Sequence, residues 1–178
     1  MNNIMWDIET LDVRETAVIL EYSYARFDPM SWDIGPFFTS AVNYHAQHAR
    51  STSSQTIDWW EKTEPQIYES KVAAAKDDKT LLSEHAAVLR GTKDDITWAH
   101  GYGFDVNIMD NFCLENGVEP ERNPFAVYDT RTFFKVAGDA RKRYATPGQK
   151  HNAEVDVFAQ IRAVQEAHRN LYPESFEG

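Results

Sequence analysis

The sequence predicts an α/β fold in which a three-strand antiparallel meander plus two further strands form one mixed central sheet, flanked by helices. Three observations predict it. Short apolar and aromatic runs separated by turn-forming residues occupy residues 3–44. Helical spacing of apolar residues takes over after about residue 54. Beyond residue 95, short apolar runs alternate with helical stretches.

Each element has its own signal. Residues 3–9, "NIMWDIE", read as a buried strand, "AVILEYSYARF" (17–27) as a long one and "PFFTSAVNY" (36–44) as a third, with the turn-rich "DPMSWDIG" joining the last two. After "RSTSSQ" the period becomes helical. "TIDWWEKT" comes first, then "PQIYESKVAAAK" with Pro65 suited to a first helical turn. "KTLLSEHAAVLRGT" follows, with Leu81, Leu82, His85, Val88 and Leu89 at helical spacing and Gly91 closing it. "DITWAH" (95–100) reads as a short strand, "FDVNIMDNFCLENG" as a helix ended by Gly117, and "FAVYDT" (125–130) as another strand, with a short helix from about Arg131. The last helix, "NAEVDVFAQIRAVQEAHRN", places Val157, Phe158, Ile161 and Val164 on one stripe. The reading gives a single domain over residues 1–172 and a frayed tail over 173–178.

Composition bounds the function. At 178 residues and 42% hydrophobic the chain fits one packed core. The lone Cys113 excludes an intramolecular disulfide and a cysteine-based zinc site, and beside Met109 and Phe112 it reads as a small core residue. No run approaches the roughly 18 apolar residues of a membrane span, and no secretory signal pattern is present, so a soluble, cytoplasmic protein with no membrane partner is expected. The net charge of −10 argues against non-specific surface binding of nucleic acid. The charge is uneven, however. Residues 131–150 hold Arg131, Lys135, Arg141, Lys142, Arg143 and Lys150 against Asp139 alone, so six positive charges less one negative leave that window at +5 and the remainder at −15. A local anionic partner is one reading of that window, and a solvated loop is the other.

Carboxylates stand at element ends. Asp7 and Glu9 lie two apart on the first strand, so both point to the same face and repel one another. Asp105 follows the glycine-rich turn "HGYG", and Asp156 falls in the first turns of the last helix. His151 lies five residues before Asp156, a separation of about 500° on a helix, so the two share a face only if His151 sits in the preceding loop and leans back. Convergence of Asp7, Glu9, Asp105 and Asp156 in one cleft would demand hard cations with oxygen ligands, for which two Mg²⁺ or Mn²⁺ ions suit displacement at phosphorus. A rim histidine then serves as general base.

"DIET" (7–10), "WAHGYGFD" (98–105) and "HNAEVD" (151–156) resemble the three motifs of the DEDDh superfamily of 3′-5′ exonucleases, with the His-x4-Asp spacing intact. "TIDWWEKT", "DTRTFF" and "HNAEVDVFAQI" sharpen this to the small group of bacterial and phage 3′-5′ exoribonucleases, whose relatives include phage exonucleases acting on single-stranded DNA. The match runs from about residue 3 to 168. The element order also fits the ribonuclease H-like fold of that superfamily.

The resemblance implies that Asp7 bridges two metals, that Glu9 and Asp156 hold the water-activating metal, that Asp105 sits at the second metal, and that His151 is the base. It implies release of nucleoside monophosphates from 3′ ends, of RNA more than of single-stranded DNA, and by analogy a homodimer. Proofreading subunits usually carry Gly two residues after the first-motif Thr and Asn in the second motif. Here Leu11 and Asp12 follow Thr10, and Gly101 stands where Asn would be, which disfavours proofreading. A non-catalytic nucleic-acid-binding module is the alternative of another class, and the intact five-residue set argues against it.

Further residues are candidates for holding substrate. Thr10 and Leu11 lie where contacts to a 2′-OH would form. Trp59 and Trp60 point about 100° apart on a helix, so one is expected in the core and the other at the site, stacked on a base. Phe104 sits inside the second motif. Arg131 either pins a phosphate or pairs with Asp129, the structural pairing being favoured. Arg141, Lys142 and Arg143 abut the third motif and are expected to guide the strand toward the metals.

Overall fold

The structure is a computed structural model that describes residues 1–146 and 151–176. Its sheet has five strands, β1 (Asn3–Thr10), β2 (Ile19–Phe27), β3 (Ile34–Ala41), β4 (Ile96–Ala99) and β5 (Val127–Asp129), in the order β3-β2-β1-β4-β5. β1, β2 and β3 form the expected antiparallel meander, while β4 pairs parallel to β1 and β5 parallel to β4. Seven helices among the described residues complete the order: α1 (Ser54–Thr63), α2 (Pro65–Asp77), α3 (Leu82–Leu89), α4 (Tyr102–Glu115), α5 (Thr130–Ala137), α6 (Arg141–Tyr144) and α7 (Ala153–Leu171).

The pleat of β1 divides the core. Ile4, Trp6 and Ile8 enter one cluster with Val106, Met109 and Phe112 of α4 and Leu89 of α3. Met5 points the other way, into a cluster with Val157, Ile161 and Val164 of α7 and Trp98 of β4. Asp7 and Glu9 continue the Met5 row, so the alternation that builds the core also carries both carboxylates toward α7. Burial of each of Val157, Ile161 and Val164 contributes about 1.5–3 kcal/mol, which fixes the helix against that face. A third cluster, Leu11, Val18, Leu20, Trp60 and Ala75, seats α1 and α2 beyond the end of β1.

Several local expectations change. β3 starts at Ile34, a 3-10 turn follows over Tyr44–Ala46, and the basic window contains the short helix α6. Lys150 of that window lies outside the described residues. Gly91 and Gly117 both take the left-handed φ that ends α3 and α4. Cys113 is fully buried, donates to Ala86 O at 3.3 Å and has its thiol pushed up to about 12 by that burial. Beyond α7 the Ser175 amide donates to Tyr172 O, and the Phe176 ring meets Trp32 with centroids 5.2 Å apart. No helix among the described residues is long and apolar enough to cross a membrane.

Candidate active site

Four local structures bring the acidic residues together at the carboxyl ends of the parallel strands β1 and β4. Asp7 and Glu9 project from β1. β4 ends at Ala99, and the chain then turns through Gly101, whose φ of +118° favours glycine. A Cβ there would also stand 3.3 Å from the Arg131 guanidinium. That turn starts α4 at Tyr102 and puts Asp105 in its first turn, nearly fully buried. Asn152 caps α7 by accepting the Val155 amide at 3.2 Å, which sets Asp156 one turn in.

His151 sits just before that cap with a φ of +60°, a conformation uncommon for a non-glycine residue. Its backbone amide donates to Asp156 Oδ2 at 3.0 Å. The "HNAEVD" stretch is therefore a closed local unit in which the helix carboxylate holds the preceding histidine back over the site, as the spacing requires. The ring is flanked edge-on by Trp59 at 4.8 Å and Trp60 at 5.8 Å between centroids.

The electrostatics show the convergence directly. Asp7 is held well above the ordinary carboxylate range by burial first, then by the charges of Glu9, Asp105 and Asp156. Glu9 is raised by burial, with Lys71 pulling it down and Asp156, Glu21 and Asp105 pushing it up. Burial lifts Asp105 to about 7, against amide contacts from Ile8 and Asp105 itself. Asp156 is raised by burial, with His151 opposing. One ligand atom from each of Glu9, His151 and Asp156 lies within 4.8 Å of the other two. Glu9 Oε1 is buried with no hydrogen-bond partner, an oxygen left to receive a cation.

These groups line a cavity of about 490 Å³ together with His100, Phe104, Arg131, Arg141, Lys142 and Gln160. A second cavity of about 470 Å³ adjoins it, bounded by Thr10, Asp12, Ser53, Thr56, Trp59 and Trp60. Ile8, Glu9 and Phe104 line both, so Phe104 stands at the partition. Thr10 is buried and donates its hydroxyl to Asp12 O at 2.7 Å. Trp60 is the core member of the tryptophan pair, its Nε1 donating to Thr10 O at 3.0 Å. Trp59 is 40% exposed and forms the rim.

Three expectations are corrected. Leu11 is fully buried in the third cluster, its amide donating to Val18 O and its carbonyl accepting from the Ser53 amide, so neither side chain nor backbone is offered to a ligand. Arg131 does not ion-pair with Asp129: it donates to His100 O at 3.2 Å, while Asp129 caps α5 through the Thr132 amide and accepts from the Tyr102 amide. Arg143 leaves the cavity and pairs with Glu166 on α7, whereas Arg141, held by Asp139, and Lys142 line it.

Two residues were missed, and a third, His100, joins the wall as a satisfied residue at the end of β4. Its Nδ1 lies 2.9 Å from Thr130 Oγ1, and burial with nearby Arg141 and Arg131 pushes it down to about 4. Lys71 is buried on α2 and pairs with Glu21. Gln160 is buried on α7 and donates from Nε2 to Asp7 Oδ1 at 2.9 Å. Both of the latter carried a readable signal: Lys71 interrupts the apolar row Ile67–Ala75 at i+4 from each end, and Gln160 lies four residues after Asp156.

Comparison with known proteins accords with this geometry. A crystal structure of E. coli exonuclease I in complex with a 5cy-dA13 oligonucleotide superposes with a TM-score of 0.66 at 13% identity, over 98% of this chain and 41% of that one. A product-bound exonuclease I gives 0.65 at 14% identity, over 98% and 44% of the two chains. The zinc-ion-bound form of an E. coli exonuclease I–ssDNA complex gives 0.62 at 12% identity, over 98% and 41%. The chain spans about two fifths of the length of these structures, and the likeness shows the ribonuclease H-like fold. No curated relative matches. The family model of the 3′-5′ exoribonuclease Rv2179c-like domain matches residues 2–168, and the chain therefore belongs to that family of 3′-5′ exonucleases.

Proposed function

We propose that the chain is a divalent-metal-dependent 3′-5′ exonuclease that releases nucleoside monophosphates from the 3′ ends of RNA, with single-stranded DNA as the poorer substrate. The observation that carries this reading is the meeting of Asp7, Glu9, Asp105, Asp156 and His151 in one cavity. The donor set fits hard cations: four carboxylates repel one another when ionised, and Glu9 Oε1 has no partner of its own. Asp7, Glu9, Asp105 and Asp156 would hold two Mg²⁺ or Mn²⁺ ions. When bound, such ions acidify water and offset the charge that develops on a phosphoryl group.

The chain's own groups do the rest. A ring nitrogen of His151 takes the proton of the attacking water, and Trp59 and Trp60 restrict the ring while excluding bulk solvent. Arg131, Arg141 and Lys142 bind the phosphates of the incoming strand. Trp59 and Phe104 offer stacking faces for the terminal bases, and Thr10 and Asp12 bring polar groups to the second cavity, where a ribose would lie. The family's description supports RNA. The reading extends to a cytoplasmic homodimer by analogy with similar exonucleases, which light scattering of the purified chain tests.

The decisive assay gives the protein 5′-labelled RNA and DNA strands with Mg²⁺ or Mn²⁺, alongside Asp7→Ala. A ladder that shortens from the 3′ end, stronger on RNA, lost with chelator and lost in the variant, is expected. Absence of cleavage of either polymer with either metal, or full activity in Asp7→Ala, overturns the proposal. Stronger cleavage of DNA overturns the substrate assignment alone.

A further inference from the structure

Gln160 is nearly fully buried, yet only half of its amide is used. Nε2 donates to Asp7 Oδ1 at 2.9 Å, while Oε1 is sealed from solvent with no hydrogen-bond partner. A buried amide with an unsatisfied acceptor carries a desolvation cost that an apolar side chain of the same volume would avoid. Its neighbours on α7, Val157, Ile161 and Val164, are the apolar residues such a position ordinarily takes. Once a cation holds Asp7 ionised its carboxylate only accepts, so the NH2 group must then face Asp7.

From these observations we infer that Gln160 is a positioning residue for the metal site. It ties down one oxygen of Asp7 and leaves the other presented to the cavity that Glu9, Asp105 and Asp156 also line. Asp7 is paired with Ser23 two residues before the break in pairing between Glu9 and Thr10, and no other side chain hydrogen-bonds its carboxylate among the described residues. Without the Gln160 bond the carboxylate can rotate about χ2, and the site spends binding energy on reordering it. Supporting partners of this kind are worth about 10–100-fold in metal affinity or activity. The inference rests on the exonuclease reading above.

The test compares Gln160→Met, which keeps the volume and removes the donor, and Gln160→Asn, which keeps the amide and shortens its reach. The control is Gln165→Met on the same helix. Gln165 is fully buried and donates to the carbonyls of Asp28 and Asp33, so it is a structural residue outside the cavity lining. Mn²⁺ binding is measured by calorimetry, kcat and KM on a single-stranded oligonucleotide by a stopped assay, and the fold by circular dichroism and melting. Both Gln160 variants are expected to fold, to bind Mn²⁺ about tenfold more weakly or worse, and to lose about 10–100-fold in kcat with KM for the strand within about twofold. Gln165→Met is expected to melt lower with Mn²⁺ affinity unchanged. Gln160 variants within twofold of the wild type in both Mn²⁺ affinity and kcat overturn the inference alone. So do an equal loss of Mn²⁺ affinity in Gln165→Met, or failure of both Gln160 variants to fold. A wild type that neither binds Mn²⁺ nor cuts overturns the exonuclease reading and this inference with it.

Discussion

Lys71 of α2 is buried and pairs with Glu21 of β2, the residue directly opposite Glu9 across the antiparallel pair. Glu21 Oε2 also accepts the Ala153 amide at 3.4 Å, at the first residue of α7. One lysine thus offsets Glu21, opposes the upward push on Glu9 and Asp156, and through Glu21 links α2 to the helix that carries Asp156. Lys71→Met is expected to destabilise the protein by about 3 kcal/mol, near the lower end for a broken buried pair because Glu21 keeps some solvent contact. Adding Glu21→Gln should restore part of that loss. Urea unfolding of the single and double variants checks it, and a single variant as stable as the wild type would rule out the linkage.

Metal-free protein should lose stability as pH rises from about 5 to 8. Asp7, Glu9 and Asp105 have folded values above their unfolded ones, with Asp105 at about 7. The folded state therefore binds more protons than the unfolded chain across that window, and the stability present in the protonated form is lost as pH rises through the folded values. Asp78, Asp129 and Asp139 are lowered and act in the opposite sense only below about pH 4, and His100, pushed down to about 4 from an ordinary 6.5, opposes the trend only up to about pH 6.5, so the fall is steepest above that value. Melting in chelator across pH 5–8 measures the trend, and Mn²⁺ at about 100 times its dissociation constant should return about 2.7 kcal/mol at pH 8. A metal-free melting temperature that climbs with pH contradicts the account.

Leu11 and Trp59 should separate stability from binding. Leu11→Ala empties a fully buried core position and is expected to cost about 2–5 kcal/mol of stability with KM for the strand unchanged in the folded protein. Trp59→Ala removes an exposed stacking face and is expected to weaken strand binding by about 1–3 kcal/mol. The reverse pattern in unfolding and KM measurements would return Leu11 to the binding surface.

The basic residues should divide by neighbour. Arg131→Ala, Arg141→Ala and Lys142→Ala are each expected to raise KM and to reduce the slope of log affinity against log salt by about 0.7. Arg143→Ala should leave both unchanged and lower stability, because its partner is Glu166. An Arg143 variant with the salt response of the other three would show that its pairing with Glu166 opens when a strand binds.

The carboxylates and His151 were legible because their positions follow from strand parity, a glycine turn and one helix spacing, each a local rule. The Trp59–Trp60 division followed from helical geometry alone. Leu11 was not legible: by parity it shares a face with Asp7 and Glu9, but pairing breaks after Glu9 and β1 ends at Thr10, which turns Leu11 into the third cluster. Arg143 failed for a related reason, since a charge count cannot see the rotation of about 100° per residue along α6. Lys71 and Glu21 lie fifty residues apart, and only the fold brings that pair together.

The two cavities meet at Phe104 but draw on different stretches of chain. The carboxylates ride on β1, α4 and α7, whereas Ser53, Thr56 and Trp59 of the second cavity belong to α1 and its cap. Trp60 is bolted to Thr10 and Trp59 packs edge-on against His151, whereas Ser53 and Thr56 bond to neither His151 nor the carboxylates among the described residues, so that part of the α1 wall can change its chemistry and leave them in place. On the exonuclease reading proposed above, the protein is in that sense a fixed cutting head with an exchangeable gauge, and residues 53–56 are where a different choice of terminal nucleotide would be written.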